Sequence, residues 1–179
     1  MKTTQILIAG FGGQGILFAG KFLAYKGLME DLQVSWLPSY GPEMRGGTAN
    51  CNVILSETPV GSPIVTQPDV LIAMNLPSLQ KYVNTVAPGG QIYVDSSLIE
   101  EKVARTDVEV FYIPATQMAK DEGIASLANM IIIGSLLQNN SELSFEGTEA
   151  VVAKLVPPTK AALVELNMKA LLLGKEYGA

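Results

Sequence analysis

Residues 6–15 read ILIAGFGGQG, an apolar run over Ile6–Ala9 that breaks into Gly10, Gly12, Gly13 and Gly15, with Gln14 between the last two. A short continuous apolar run of this kind suits a strand buried on both faces. Gly10-Phe11-Gly12-Gly13-Gln14-Gly15 satisfies G-x-G-x-x-G directly after that strand. Helical spacing follows from Gln14 to Leu28 through Ile16, Leu17, Ala19, Phe22 and Leu23, and Gly27 marks the end of the helix. Gln33–Leu37 (QVSWL) reads as a second strand. Strand, glycine turn, helix and strand in this order predict a βαβ unit whose parallel strands cross over right-handed.

Glycines in such a turn permit positive φ and a close backbone approach, and the helix that follows offers free N–H groups to an anion. The same glycines also serve a second purpose, tight packing of strand against helix. A dinucleotide site needs in addition an acidic residue for the ribose at the end of the second strand, about 20 residues on. Leu37-Pro38-Ser39 stands there instead, and Glu30 and Asp31 precede the strand. The pattern therefore argues against a standard NAD site.

Further along, Asn50–Leu55 is expected to be a strand, Val60–Ile64 a short edge strand or extended arm, and Asp69–Met74 (DVLIAM) another buried strand. Pro77–Val86 is expected to be a helix with Pro in its first turn, closed by Ala87-Pro88-Gly89-Gly90. Gln91–Asp95 and Glu109–Ile113 read as strands. Beyond Pro114 the pattern becomes helical over Thr116–Glu122, Ala125–Leu137, Phe145–Leu155 and Thr159–Leu173. The fold class read from this is α/β: a Rossmann-like, mostly parallel sheet with flanking helices and a helical C-terminal layer. We read residues 1–179 as one domain, with the sheet part over about 1–114 and the helical part over about 115–179. Asn129, inside the apolar stretch Ala125–Leu137, needs a hydrogen-bond partner if it is buried.

Composition narrows the chemistry. Hydrophobic residues make up 48% of the 179 and charged residues only 16%, against about 25% charged in ordinary soluble domains. So little charge predicts a substantial surface buried against other chains. The net charge of −5 and the absence of any basic run speak against nucleic acid as a partner. Met130–Leu137, the longest apolar stretch, is too short to cross a bilayer, and the early strand pattern leaves no room for a signal peptide. A cytoplasmic location is expected. With no histidine, a Ser-His-Asp triad or a His-ligated metal is out of reach, and the single Cys51 rules out a four-thiolate cluster. Cys51 itself, in TANCNVIL, reads as a small core side chain.

The loop after the second strand borders the binding crevice of an open parallel sheet. Here it sets Tyr40, Glu43 and Arg45 among glycines, within SYGPEMRGGTANCNVILS (Ser39–Ser56). Arg45 is suited to bidentate contact with a carboxylate or phosphate; a local Glu43–Arg45 ion pair is the alternative.

GFGGQGI (Gly10–Ile16), SYGPEMRGGTA (Ser39–Ala49), ILS (Ile54–Ser56), PDVLIAM (Pro68–Met74) and ANMIIIGSLL (Ala128–Leu137), in this order, resemble the gamma subunit of the 2-oxoacid:ferredoxin oxidoreductases. The resemblance runs over nearly the whole chain. It implies membership in a heteromeric complex that decarboxylates a 2-oxoacid and passes the acyl group to coenzyme A, with electrons going to ferredoxin. Thiamine diphosphate, Mg2+ and iron–sulfur clusters are implied for alpha and beta, or for a ferredoxin-like delta subunit. This chain is expected to carry no cofactor of its own, no metal and no catalytic residue, and to be inactive alone. It lacks any GDG triplet of the kind that anchors thiamine diphosphate. Gly10, Gly12, Gly13, Gln14 and Gly15 are then candidates for a turn that faces partner subunits or contacts coenzyme A, and Gln14, Tyr40, Glu43 and Arg45 for contacts across a subunit boundary. The rival readings are the corresponding subunit of an indolepyruvate-type enzyme, a free-standing NAD(P)- or flavin-binding reductase, and a nucleotide-sensing module.

Overall fold

The computed structural model describes residues 3–39 and 48–178. In chain order the elements are β1 (Thr3–Phe11), α1 (Ile16–Met29), β2 (Gln33–Ser39), β3 (Thr48–Ser56), β4 (Val70–Ala73), α2 (Leu76–Tyr82), β5 (Gln91–Asp95) and β6 (Glu109–Ile113). The helices α3 (Ala115–Asp121), α4 (Ala128–Asn139), α5 (Thr148–Leu155) and α6 (Ala162–Tyr177) follow. The strands form one six-stranded sheet in the order β2-β3-β1-β4-β5-β6. β1, β4, β5 and β6 pair in parallel, whereas β3 pairs antiparallel with both β1 and β2. β3 alone thus runs against the other strands.

This topology bears out the α/β, mostly parallel sheet and corrects one pairing. β2 does run in the direction of β1, but it is not its neighbour. β3 lies between them, in register from Thr3↔Ser56 to Phe11↔Thr48 on one side and from Gln33↔Ser56 to Ser39↔Asn50 on the other. The reason is hydrophobic rather than local. Cys51, Val53 and Leu55 are buried on the same side of the sheet as Ile6 and Ile8, so β3 fills a central slot beneath α1. β2, with Trp36 and Leu37 partly exposed, suits the edge. Its Pro38 has no N–H to give a ladder, which an edge strand tolerates.

Each central strand buries both of its faces. Ile6 and Ile8 face the core covered by α1, α3, α4 and α5, while Leu7 joins Leu71, Ala73, Ile92, Val94 and Leu79 of α2 on the opposite side. α4 is buried around nearly its whole circumference because it is sandwiched: Ile131, Ile132 and Ile133 are each 0% exposed. Burying a side chain of that size contributes about 1.5–3 kcal/mol. α6 crosses α4 from outside, with Ala170 and Leu171 in the same core.

Some boundaries differ from the sequence reading. α1 starts at Ile16, because Gln14 and Gly15 belong to the turn. Val60–Ile64 forms no strand, in keeping with the breakers Gly61 and Pro63 inside it. α2 ends at Tyr82 and Val83–Thr85 continue as one 3-10 turn. Similar 3-10 turns at Ala125–Leu127 and Pro158–Lys160 precede α4 and α6. α5 begins at Thr148 rather than Phe145, since Gly147 with φ 73° turns the chain into the helix. The start of α2 is as expected: Asn75 Oδ1 accepts the Ser78 N–H at 2.8 Å, and Pro77 lies in the first turn.

Candidate functional site

The glycine turn stands at the carboxyl end of β1, where an open parallel sheet forms its crevice. Gly13 and Gly15 adopt φ of 94° and 73°, a region in which any side chain is strained. Gly15 is the N-cap of α1; it supplies no side-chain cap, and the first turn of α1 holds no acidic residue. The N–H groups that open this helix are therefore left for water or a ligand.

Gln14 has a definite role. Its Oε1 accepts the Phe11 N–H at 2.6 Å and its Nε2 donates to the Met74 carbonyl at 2.9 Å. The amide thus clamps the turn to itself and to the end of β4, with donor and acceptor both engaged inside the fold. A second clamp comes from α4. Asn129, 3% exposed, donates from Nδ2 to the Gly15 carbonyl at 3.0 Å. This is the partner its burial required. Its Oδ1 has no hydrogen-bond partner among the described residues, which leaves an acceptor beside the turn. No spacing rule links Asn129 to Gly15 across the whole sheet; the demand that a buried amide be satisfied was the one clue in the sequence.

An open cavity of about 270 Å3 adjoins the turn, walled by Gly12, Gly13, Gly15, Phe11, Phe18 and Ala49 among others. Among the described residues no charged side chain lines it, and Phe11 is 41% exposed at its lip. β3 starts beside this lip, with Gly10 paired to Ala49. Tyr40, Glu43 and Arg45 fall outside the described residues. Beyond the end of β4, Asn75 Nδ2 and Ser78 Oγ are also buried without partners among the described residues.

Other titratable groups are engaged structurally. Asp95, fully buried at the end of β5, accepts from Thr116 Oγ1 at 2.5 Å and from the Ser97 N–H at 3.1 Å, tying β5 to the start of α3. Burial pushes the Cys51 thiol up to about 12, so it stays protonated and non-nucleophilic at neutral pH. Burial likewise holds the Tyr93 phenol above its ordinary range. Among the described residues no three His, Cys, Asp or Glu side chains are grouped to hold a metal ion, and no helix is long and apolar enough to cross a membrane.

The insertion of β3 also bears on the expectation that no standard nicotinamide site is present. The residue that would bind the ribose in a dinucleotide fold belongs at the end of the strand next to β1, and β2, which carries Leu37-Pro38-Ser39, is one strand further away.

The profile of the pyruvate ferredoxin/flavodoxin oxidoreductase family matches residues 5–177. The chain belongs to this family. It is 39% identical over 177 residues to the ketoisovalerate oxidoreductase subunit VorA of Methanothermobacter thermautotrophicus, a match covering 97% of this chain and 36% of VorA. It therefore spans little more than a third of that relative. Against the 2-oxoglutarate synthase subunit KorC of Methanothermobacter marburgensis it is 35% identical, over 96% of this chain and 95% of KorC. Among solved structures, the keto/oxoacid ferredoxin oxidoreductase gamma subunit of Geobacter sulfurreducens superposes with a TM-score of 0.82 at 30% identity, covering 98% of both chains. The 2-oxoglutarate:ferredoxin oxidoreductase of Magnetococcus marinus, solved with 2-oxoglutarate, coenzyme A and succinyl-CoA bound, shares the fold. Its TM-score is 0.85 at 24% identity, over 99% of this chain and 31% of that one.

Proposed function

We propose that this chain is the gamma subunit of a heteromeric, cytoplasmic 2-oxoacid:ferredoxin oxidoreductase. The complex converts a 2-oxoacid and coenzyme A into acyl-CoA and CO2 and reduces ferredoxin. The observation that carries this reading is the end-to-end correspondence with the Geobacter gamma subunit, 98% of each chain at a TM-score of 0.82.

The redox cofactors do not fit this chain. An iron–sulfur cluster needs several thiolates, and the one cysteine is buried and held protonated. Thiamine diphosphate, Mg2+ and the clusters are assigned to alpha, beta and, where present, delta subunits, and the chain alone has no turnover.

Coenzyme A does fit the glycine turn. The uncapped start of α1, with the backbone of Gly10, Gly12, Gly13 and Gly15, suits a pyrophosphate. The apolar cavity and the spare Asn129 Oδ1 suit the apolar, amide-bearing arm of such a carrier. Bound coenzyme A supplies the thiol that accepts the acyl group. The task of this chain's residues is to hold and orient: Gln14 keeps the turn closed on β4, and Asn129 fixes Gly15. Tyr40, Glu43 and Arg45 are assigned to contacts across the subunit boundary; Gln14, whose amide is engaged within the chain, supports the turn from inside.

Anaerobic purification of the tagged chain from its native host tests the reading. Mass spectrometry is expected to find thiamine- and cluster-bearing subunits with it. Recovery of the chain alone, soluble and stable, overturns the complex. Binding of coenzyme A to the assembled complex, weakened at least tenfold by Gly15→Ala, tests the turn separately.

A further inference from the structure

We propose that the outer face of α6 is a self-association surface, on which two copies of this chain lay their α6 helices together antiparallel. The inference is independent of the coenzyme A assignment, because it concerns the opposite side of the helical layer.

α6 carries two stripes. Asn167, Ala170, Leu171 and Gly174 are buried and form the face toward α4. About half a turn away, at 3.6 residues per turn, Glu165, Met168, Lys169, Leu172, Leu173 and Glu176 line an open groove of about 450 Å3. These positions recur at i, i+3, i+4, i+7, i+8 and i+11, the spacing of a helix face that meets another helix. Leu172 is 43% exposed, and every residue lining the groove comes from α6 itself. Met168 and Leu173 are half-buried against the chain's own core, while Glu165, Lys169, Leu172 and Glu176 are exposed and would meet a partner.

Charge complementarity selects a second copy as the occupant. In an antiparallel pair, residues whose numbers add to a constant lie at one level. When Leu172 of one copy is level with Leu173 of the other, Lys169 lies level with Glu176 of the other copy. By symmetry the arrangement occurs twice. A leucine cluster is then bracketed by two reciprocal ion pairs, the self-complementary pattern of a twofold interface. Moving the register so that Glu165 is level with Glu176 sets like charges opposite each other, which disfavours that alignment. Lys169 keeps its existing bond to Glu122 on its own chain, 2.7 Å at the surface, and the ammonium has further donors for a carboxylate of the partner.

Sedimentation velocity of the full chain over about a hundredfold range of concentration tests this, with circular dichroism to verify folding. Dimers are expected to form with rising concentration, and Leu172→Asp to abolish them. Lys169→Glu is expected to weaken association by about tenfold or more, and the double variant Lys169→Glu/Glu176→Lys to restore it. Loss of the Glu122 contact alone would not be repaired by the second substitution, so restoration identifies the intermolecular pair. If the chain is obtained only with partner subunits, the same variants are read from the mass of the complex, which is expected to halve with Leu172→Asp. A monomer at every concentration, failure of the double variant to restore association, or protection of residues 168–176 from hydrogen exchange that requires the other subunits overturns the proposal.

Discussion

Two regions of this protein are built around glycine for opposite reasons, and the contrast shows which parts of the structure a sequence makes visible. In the turn after β1, Gly13 is needed for its conformation: φ is 94° and a Cβ there would meet nothing within 4 Å. At the crossing of α4 and α6, Gly134 and Gly174 have ordinary helical backbones and are needed for closeness. A Cβ on Gly134 would run into the Leu171 carbonyl oxygen, and one on Gly174 into that of Ile131. The crossing is reciprocal, each helix presenting a glycine and, three residues earlier, the carbonyl that the other glycine approaches. Gly15 combines both demands, with φ of 73° and the Asn129 amide at 2.5 Å from a would-be Cβ.

The largest effect is expected where backbone meets backbone. Gly174→Ala must push α6 off α4, and neither carbonyl can rotate away. A loss of about 3 kcal/mol or more is expected, seen as a clear fall in the urea midpoint without a change of slope. Gly15→Ala follows, at about 2 kcal/mol, from left-handed strain together with displacement of Asn129. Should Asn129→Ala on the same background recover part of that loss, the two contributions are separated. Gln14→Ala removes two hydrogen bonds from a half-buried turn and is expected to cost about 1–2 kcal/mol. Its signature is faster hydrogen exchange at the Phe11 amide.

A pH measurement sharpens the contrast between these sites and the core. Cys51 has an ordinary value of 9.0 and a folded value near 12. The unfolded chain loses this proton in the window between the two, while the folded chain keeps it. Stability is thus fully present below pH 9 and falls as pH rises, by about 1.4 kcal/mol per pH unit from this group. Cys51→Ala is expected to flatten the alkaline side of the stability curve by that slope, with Tyr93 common to both proteins. The smallest effect is reserved for Gly13→Ala: strain of about 1 kcal/mol in open space, read as a shift of a few degrees in the thermal midpoint.

The sequence announced the first kind of glycine and concealed the second. Gly10–Gly15 follows an apolar run and opens a helix, so turn, strand and helix are all legible from neighbours in the chain. Gly134, inside ANMIIIGSLL, looks like an imperfection in a helix until α6 is seen lying on it. The same distinction holds for the sheet. Ile6–Ala9, Asp69–Met74 and Gln91–Asp95 declare themselves as strands by their own composition, but nothing local says that β3 enters between β1 and β2, because pairing is decided by which faces share a core. Gln14 was legible as an unusual residue and not as a clamp, since its second partner, the Met74 carbonyl, lies 60 positions on. Tyr40, Glu43 and Arg45 are proposed for the site from sequence alone.

The insertion of β3 has a kinetic consequence. Because β2 and β3 are consecutive and antiparallel, they can zip together as a local ribbon before any crossover is complete. β1 then needs only to dock against an existing edge. Once in place it is paired along its whole length, from Thr3 to Phe11, by β3 and over Ile6–Ala9 by β4. Such a strand opens to solvent only when the entire molecule does. The glycine turn therefore grows from a strand paired on both sides, and hydrogen-exchange protection is expected to be highest on the β1 side of the turn, with Gln14 and Asn129 holding the helix side.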